Sequence, residues 1–109
     1  MKATMLYYMV EFDPRPGIRR KQITQAYRKF THHFRKTFPE VKFIGFFGRD
    51  ILLGSRPQYF ALWEVPDYAT LDTWRKAFSA DKEGRKISEE LNNLGTNWDA
   101  KMVSRINLD

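Results

Sequence analysis

The feature that most constrains the fold is a strand that turns directly into a helix, within residues 56–78. Residues 59–65 (YFALWEV) are aromatic, aliphatic and β-branched, which is typical of a strand. Pro66 cannot donate a hydrogen bond to a strand partner and Asp67 is a favoured helix N-cap, so the chain changes from strand to helix here. The apolar residues that follow recur at helical spacing, at Tyr68, Leu71, Trp74 and Phe78. These residues predict a strand, a tight turn and an amphipathic helix.

The remaining segments complete the element order β-α-β-β-α-(α)-β. The predicted elements are strands at residues 5–12, 41–48, 59–65 and 98–108, and helices at residues 18–38, 68–78 and 81–93. Pro14 and Pro16 are predicted to end the first strand. Gly45 predicts a bulge or a close approach in the second strand, and Ile51-Leu52-Leu53 is predicted to be the apolar tip of a long hairpin loop. The order is that of a ferredoxin-like α+β domain, with a four-stranded antiparallel sheet and helices on one face, and we predict one such domain over residues 1–109.

The first three predicted strands are apolar on both faces. In the first strand one face carries Met5, Tyr7 and Met9, and the other carries Leu6, Tyr8, Val10 and Phe12. The sheet face without helices should be polar unless something covers it, because a large exposed apolar surface favours aggregation. A long loop or a second copy of the chain would cover it. We predict the second copy, which gives a homodimer with sheet packed against sheet.

Positive charge is concentrated in one segment of the chain. The net charge is +6, yet residues 14–39 contain eight basic residues and no acidic one, so the rest of the chain is slightly acidic. Such a segment is either a solvated helix face or a surface for RNA or another polyanion. The RNA recognition motif has the same topology, but the third strand here lacks the glycine of that motif. A basic RNA- or polyanion-binding module that uses the long first helix is therefore the alternative function.

Several site classes are excluded or disfavoured. The chain has no cysteine, so disulfides and thiolate metal sites cannot form. No apolar run approaches the roughly 20 residues that span a bilayer, and the N-terminal segment has the pattern of a strand rather than a signal peptide. His32 and His33 are adjacent on a helix and point about 100° apart, so they cannot share a metal. We predict a cytoplasmic protein with no membrane partner, no metal and no cofactor.

Three short segments resemble a known superfamily. They are residues 12–17 (FDPRPG), 61–71 (ALWEVPDYATL) and 81–83 (DKE). By these segments and its element order, the chain resembles the dimeric α/β-barrel proteins, in particular the NIPSNAP-like and antibiotic-biosynthesis-monooxygenase-like branches. The resemblance implies a sheet-to-sheet dimer that binds a small hydrophobic or aromatic molecule. It also implies a cofactor-independent monooxygenase or isomerase as the class of activity, while the sequence leaves open whether the protein is an enzyme.

The chain departs from these relatives at three positions. The monooxygenase branch often has a Trp where this chain has Val65 and a His where it has Trp74. The haem-degrading relatives also have an Asn on the first strand, where this chain has Tyr7 and Tyr8. A haem oxygenase of that type is not supported.

The candidate ligand-binding residues are mostly aromatic. Trp63 and Trp74 lie on consecutive elements joined by a tight turn, so both can reach the same space between sheet and helix. Either Tyr7 or Tyr8 would orient a ligand there, and His33 on the apolar side of the long helix is a further candidate. The competing interpretation is that these side chains form the core and the dimer interface.

The candidate catalytic residues are His33, Glu11 and Glu64. A histidine, or a carboxylate that points into a pocket, could act as a general base. The alternatives are a hydrogen-bonded histidine at the edge of the core, and glutamates at the rim or paired with arginines.

Arg15, Arg19 and Arg20 surround the predicted start of the long helix. Free backbone N–H groups and the helix dipole already make this end positive, and acidic residues are usually favoured there. The concentration of arginines predicts an anion site. The alternative is that the arginine side chains extend into water.

Overall fold

Four strands and three helices form the protein in this computed structural model, which describes residues 5–50 and 57–108. In chain order they are β1 (Leu6–Pro14), α1 (Arg20–Thr37), β2 (Lys42–Gly48), β3 (Tyr59–Val65), α2 (Tyr68–Ser79), α3 (Lys82–Asn92) and β4 (Gly95–Ser104). The strands form one antiparallel sheet in the order β2-β3-β1-β4. The predicted ferredoxin-like α+β fold is confirmed. The predicted loop tip at Ile51-Leu52-Leu53 lies outside the described residues.

The burial pattern of β3 distinguishes the two faces of the sheet. Alternate side chains of this strand are buried beneath the helices, namely Tyr59, Ala61, Trp63 and Val65. The residues between them are half-buried and point to the other side, which carries no helix. The two-sided apolar pattern in the sequence thus corresponds to a helix-covered face and an open face.

The core is largely made of stacked aromatic rings. Phe12 of β1 is fully buried and stacks on Trp98 of β4, with ring centroids 4.2 Å apart. Tyr27 of α1 stacks in the same way on Phe46 of β2, at 4.3 Å. Such pairs stabilise the packing beyond the area that they bury.

β1 continues through Pro14, whereas the sequence predicted that the two prolines would end it. The N–H of Arg15 donates to the carbonyl of Leu94 on the β4 side, so the nitrogen of Pro14 points away from β4. On the other side of β1, the pairing with β3 ends at Phe12. No described strand therefore lies beside residue 14 there to accept a backbone hydrogen bond. A proline is tolerated where no ladder hydrogen bond is needed.

β4 begins three residues before its predicted start and ends at Ser104 instead of residue 108. Gly95 pairs with Pro14, and a Cβ at Gly95 would lie 2.7 Å from the Trp98 ring and 2.8 Å from Phe12. Gly95 is therefore the first residue of a strand. The pairing of β1 with β4 shifts register between Glu11 and Asp13, which interrupts the regular alternation of side chains along β4.

The predicted bulge at Gly45 and the predicted N-cap at Asp67 are present, and Asp81, predicted as the first residue of the third helix, is its N-cap. The register of β2 against β3 shifts between Phe43 and Gly45. Asp67 accepts from the N–H of Thr70 at 2.7 Å, and Asp81 accepts from the N–H of Gly84 at 3.1 Å. Tyr68 was predicted to be part of the apolar stripe, which is wrong, because it is 64% exposed. None of the described helices is both long enough and apolar enough to cross a membrane.

Candidate functional site

A cavity of about 300 Å³ lies between the helix-covered face of the sheet and the three helices. Its walls come from every helix and from β1, β3 and β4. The lining residues are Tyr8, Val10, Tyr27, Phe30, Phe34, Trp63, Trp74, Arg75, Phe78, Ser88, Leu91, Asn92 and Trp98. This space is called the cavity below.

Aromatic rings form most of the cavity wall. The ring of Trp74 lies 5.4 Å from that of Phe34, 5.4 Å from that of Tyr8 and 6.4 Å from that of Trp63, measured between centroids. Trp63, Trp74 and Trp98 are the three tryptophans of the chain, and all of them line this space. The wall therefore favours a flat apolar molecule.

Few polar groups face the cavity. Burial raises the pKa of Tyr8 above its ordinary value, and the positive charge of Arg75 only partly offsets this effect. The Tyr8 hydroxyl is therefore protonated at neutral pH and can donate a hydrogen bond. Ser88 and Asn92, one turn apart on α3, add a hydroxyl and an amide.

Two indole nitrogens in the cavity wall have no hydrogen-bond partner. The Nε1 atoms of Trp74 and Trp98 are both buried, and no described residue accepts from either. An unpaired buried N–H costs about 1–3 kcal/mol.

The polar groups limit the chemistry of the cavity. Among the described residues, no histidine, aspartate or glutamate lines it. The Tyr8 hydroxyl and the Arg75 guanidinium can polarise or neutralise an oxygen on a ligand, but they do not supply an ordinary general base at neutral pH. The described residues also contain no group of three or more acidic or histidine side chains that could hold a metal ion.

The structure separates Tyr8 from three other candidate residues. Tyr8 pairs with Trp63 across the sheet and faces the helices, whereas Tyr7 pairs with Glu64 and faces the open side. Glu11 also lies on the open side, where Lys101 Nζ donates to its carboxylate at 3.1 Å. Tyr8, Trp63 and Trp74 are thus brought together at the cavity, and Tyr7, Glu11 and Glu64 are on the opposite face of the sheet.

His33 lies outside the cavity, where α1 meets α3. Its Nε2 is 2.6 Å from Oδ2 of Asp81, the N-cap residue of α3, and both side chains are largely buried. Burial alone would raise the pKa of Asp81, but the hydrogen bonds from His33 and Gly84 outweigh burial and lower it. Thr37 Oγ1 approaches the same Nε2 at 3.4 Å, so the three side chains do not form a relay through both ring nitrogens.

The three arginines at the start of α1 point to different partners. Arg15 Nε donates to the carbonyl of Gly95 at 2.9 Å. Arg20 Nε donates to the Tyr59 hydroxyl at 3.4 Å, and Arg20 forms an exposed ion pair with Asp50 at 3.9 Å. The backbone N–H of Arg19 donates to the Gln22 side chain at 2.8 Å, which gives this helix end one acceptor from its own chain.

Sequence reasoning did not identify Arg75, Ser88 and Asn92 as site residues. Arg75 follows Trp74, and Ser88 and Asn92 each follow a buried apolar residue of α3, Ile87 and Leu91. A polar residue at the border of an apolar stripe is a weak indication of a site. The same arrangement recurs one helical turn later in α3, and this repeat was the sequence signal that could have identified the site.

No protein-family model matches the chain, and no curated protein matches its sequence. Solved structures match its fold along nearly its whole length. A NIPSNAP family protein with unknown function from Agrobacterium tumefaciens is 14% identical, with a TM-score of 0.72 over 100% of this chain and 95% of that chain. A dimeric ferredoxin-like protein of unknown function from Thermobifida fusca is 10% identical, with a TM-score of 0.68 over 96% and 94%.

An enzyme is also among the similar structures. A mutant of SnoaB, described as a cofactor-independent oxygenase from Streptomyces nogalater, is 16% identical, with a TM-score of 0.63 over 97% of this chain and 98% of that chain. At sequence identities of 10–16%, these similarities show only that the fold is shared. The resemblance inferred from residues 12–17, 61–71 and 81–83 is confirmed at that level: the chain has the ferredoxin-like fold of NIPSNAP family proteins.

Proposed function

We propose that the protein binds a small aromatic or otherwise hydrophobic molecule in the cavity. The observation that carries this proposal is the cavity itself, a partly open space with aromatic walls beside the hydrophobic core. Protein interiors contain few voids larger than a water molecule. A volume of about 300 Å³ is at the lower end of the range for ligand sites, so the ligand is small.

The polar groups support a ligand with at least one oxygen. Tyr8 would donate to that oxygen, and Arg75 would favour it as a phenolate or enolate. Such a ligand is electron-rich, so a ring carbon can form a C–O bond to O2. The resulting hydroperoxide breaks its O–O bond and loses water to leave a quinone, so the ligand itself supplies the electrons. The reaction that we propose for it is therefore cofactor-independent oxygenation or isomerisation, and the similar structure SnoaB is described as a cofactor-independent oxygenase.

Binding is tested with 2-naphthol as the probe, by calorimetry and by the shift in melting temperature. We expect saturable binding that stabilises the fold. Tyr8→Phe should weaken it about fivefold, which corresponds to the loss of one hydrogen bond. Tyr7→Phe is the matched control, because it removes the same hydroxyl one residue away on the other face of the sheet. Absence of binding, or equal losses in the two variants, would contradict the proposal.

We further propose that the open sheet face is the interface of a homodimer. Its apolar residues are Tyr7, Met9, Ile44, Phe47, Phe60, Leu62 and Val103. Ile44, Phe47 and Val103 are 37–41% exposed in the single chain. A second copy would cover this surface, and the similar protein from Thermobifida fusca is described as dimeric.

A groove between α1 and β2 favours the alternative function, binding of RNA or another polyanion. Arg28 and Arg35 line it together with Phe43 and Phe46, and Arg35 lies over the Phe43 ring at 5.9 Å. Neither arginine forms an ion pair within the described part of the chain. Cations beside aromatic rings suit single-stranded nucleic acid. A salt-dependent shift of single-stranded RNA that Arg28→Gln with Arg35→Gln abolishes would favour this function over the first.

A further inference from the structure

A second depression adjoins the cavity on its outer side, between the end of α2 and α3. Its volume is about 520 Å³, and it is called the outer groove below. Phe78, Ser88 and Asn92 line both spaces, so these side chains lie at the border between them. A ligand in the cavity that extends past Ser88 and Asn92 would enter the outer groove.

The outer groove is positively charged. Lys82, Arg85 and Lys86 line it, opposed by Glu89 as its single acidic residue. None of the three cations forms an ion pair with a residue in the ranges 5–50 and 57–108. By contrast, Glu90 of the same helix does have a partner, because it pairs with Lys29 at 3.2 Å. Arg85 also acts electrostatically on Asp81 at the start of α3, so the positive charges of the groove are neutralised only in part by the described chain.

The start of α3 already has acidic residues that complement its dipole. Asp81 is the N-cap residue and Glu83 lies in the first turn. Neither of them lines the outer groove, whereas Lys82, Arg85 and Lys86 do. A negatively charged group in the outer groove would compensate for these three charges.

We infer that the ligand of the cavity carries an acidic group, a carboxylate or a phosphate, on a tail that reaches the outer groove. The inference rests on the proposed binding of an aromatic molecule in the cavity. The aromatic part occupies the cavity and the acidic group contacts Lys82, Arg85 and Lys86. Ser88 and Asn92 border the passage of the tail between the two spaces.

The test compares three probes with the same ring and is read by calorimetry at low salt. The probes are 6-(2-naphthyloxy)hexanoic acid, its methyl ester and the corresponding hexyl phosphate. We expect at least one of the two acids to bind about tenfold more tightly than the ester, because its charge strengthens the hydrogen bonds to the cations. This difference in affinity should shrink as salt is added, because salt screens the charges. Which acid binds more tightly distinguishes a carboxylate from a phosphate.

A triple variant, Lys82→Gln with Arg85→Gln and Lys86→Gln, should remove the advantage of the acid and leave binding of the ester unchanged. All three residues are exposed, so the fold should be retained, which a thermal melt checks. The matched control is Arg28→Gln with Arg35→Gln and Lys36→Gln, which removes the same charge from α1 and should keep the advantage of the acid.

Three results would overturn the inference. If the acids and the ester bind equally to the unmodified protein, the ligand has no acidic tail, while the proposed function stands. If the control variant removes the advantage as fully as the α3 variant does, the effect is that of net charge and the outer groove is not the site. If no probe binds, the proposed function fails and the inference fails with it.

Discussion

The contact between His33 and Asp81 connects two helices through one short hydrogen bond. His33 belongs to α1, and Asp81 caps α3 while it accepts from the histidine at 2.6 Å. Because the folded state lowers the pKa of Asp81, the stability that its ionised form contributes is present above the unfolded pKa of about 4. That contribution is lost as pH falls through the lower folded pKa.

We expect Asp81→Asn to lower the free energy of unfolding by about 2 kcal/mol at pH 7, the usual size of a hydrogen bond to a charged group. Asparagine is a good N-cap, so this variant retains the cap and tests mainly the contact with His33. Urea unfolding of both proteins between pH 7 and pH 2 should show the difference shrinking below about pH 4. A difference that is independent of pH would contradict this account of the contact.

Trp74 contacts the core on one side and the cavity on the other. Full truncation of a packed aromatic residue costs about 3–5 kcal/mol. Since part of the Trp74 ring faces a space instead of packed atoms, we expect Trp74→Ala to cost less than this and to abolish binding of 2-naphthol. Phe12→Ala is the comparison, because Phe12 is fully buried and does not line the cavity, so it should cost the full amount. Equal losses of stability would indicate that Trp74 is an ordinary core residue.

At the residue scale, the sequence predicted the composition of the cavity wall better than its orientation. Trp63 and Trp74 were identified because a two-residue turn keeps their elements adjacent. Tyr7 and Tyr8 could not be distinguished, because both faces of β1 are apolar and only pairing with β3 shows which face the helices cover.

At the element scale, the start of α1 has an unusual charge distribution. The first turn contains no acidic residue, and the last turn contains Arg35 and Lys36. We expect Arg19→Glu to raise the free energy of unfolding by about 0.3–1 kcal/mol through the helix dipole. Arg35→Glu should lower it by a similar amount. Chemical denaturation at low salt measures both changes.

The same variant tests the proposed anion site at Arg15, Arg19 and Arg20. If an anion binds there, sulfate should raise the melting temperature of the unmodified protein more than that of Arg19→Glu. Arg20 is left unchanged, since its pairing with Asp50 would become a repulsion and would obscure the result. An equal response to sulfate in both proteins would argue against the site.

Sequence signals that act within a few residues predicted the secondary-structure elements well. The strand boundaries that they did not predict are determined by tertiary packing. Pro66 and Asp67 fixed the bounds of β3 and the start of α2, because a missing donor and a cap act within a few residues. The extension of β1 through Pro14 depends on where β3 ends, and the place of Gly95 depends on the ring of Trp98. The cavity was not predictable in shape, because three helices and three strands must be positioned before the space between them exists.

At the scale of the whole molecule, the proposed dimer gives the sharpest expectation. Light scattering at micromolar concentration should give twice the chain mass of 13.0 kDa. Leu62→Glu places a charge in the middle of the open sheet face and should produce monomers, since Leu62 pairs with Met9 and Gly45 at the centre of the sheet. Arg28→Glu, an exposed change on α1, should leave the mass unchanged. A folded monomer of the unmodified protein would contradict the proposal.

The pairing of β1 with β4 has a consequence for how the chain is made. β1 lies in the middle of the sheet, and one of its two neighbours, from Gly95 to Ser104, is the last strand of the domain. A ribosome must therefore release almost all of the domain before the central strand is paired on both sides. Until then the edge of β1 that pairs with β4 has no hydrogen-bond partner. Nascent chains should thus depend on chaperones until β4 has left the ribosome, and the domain should fold in one step after that.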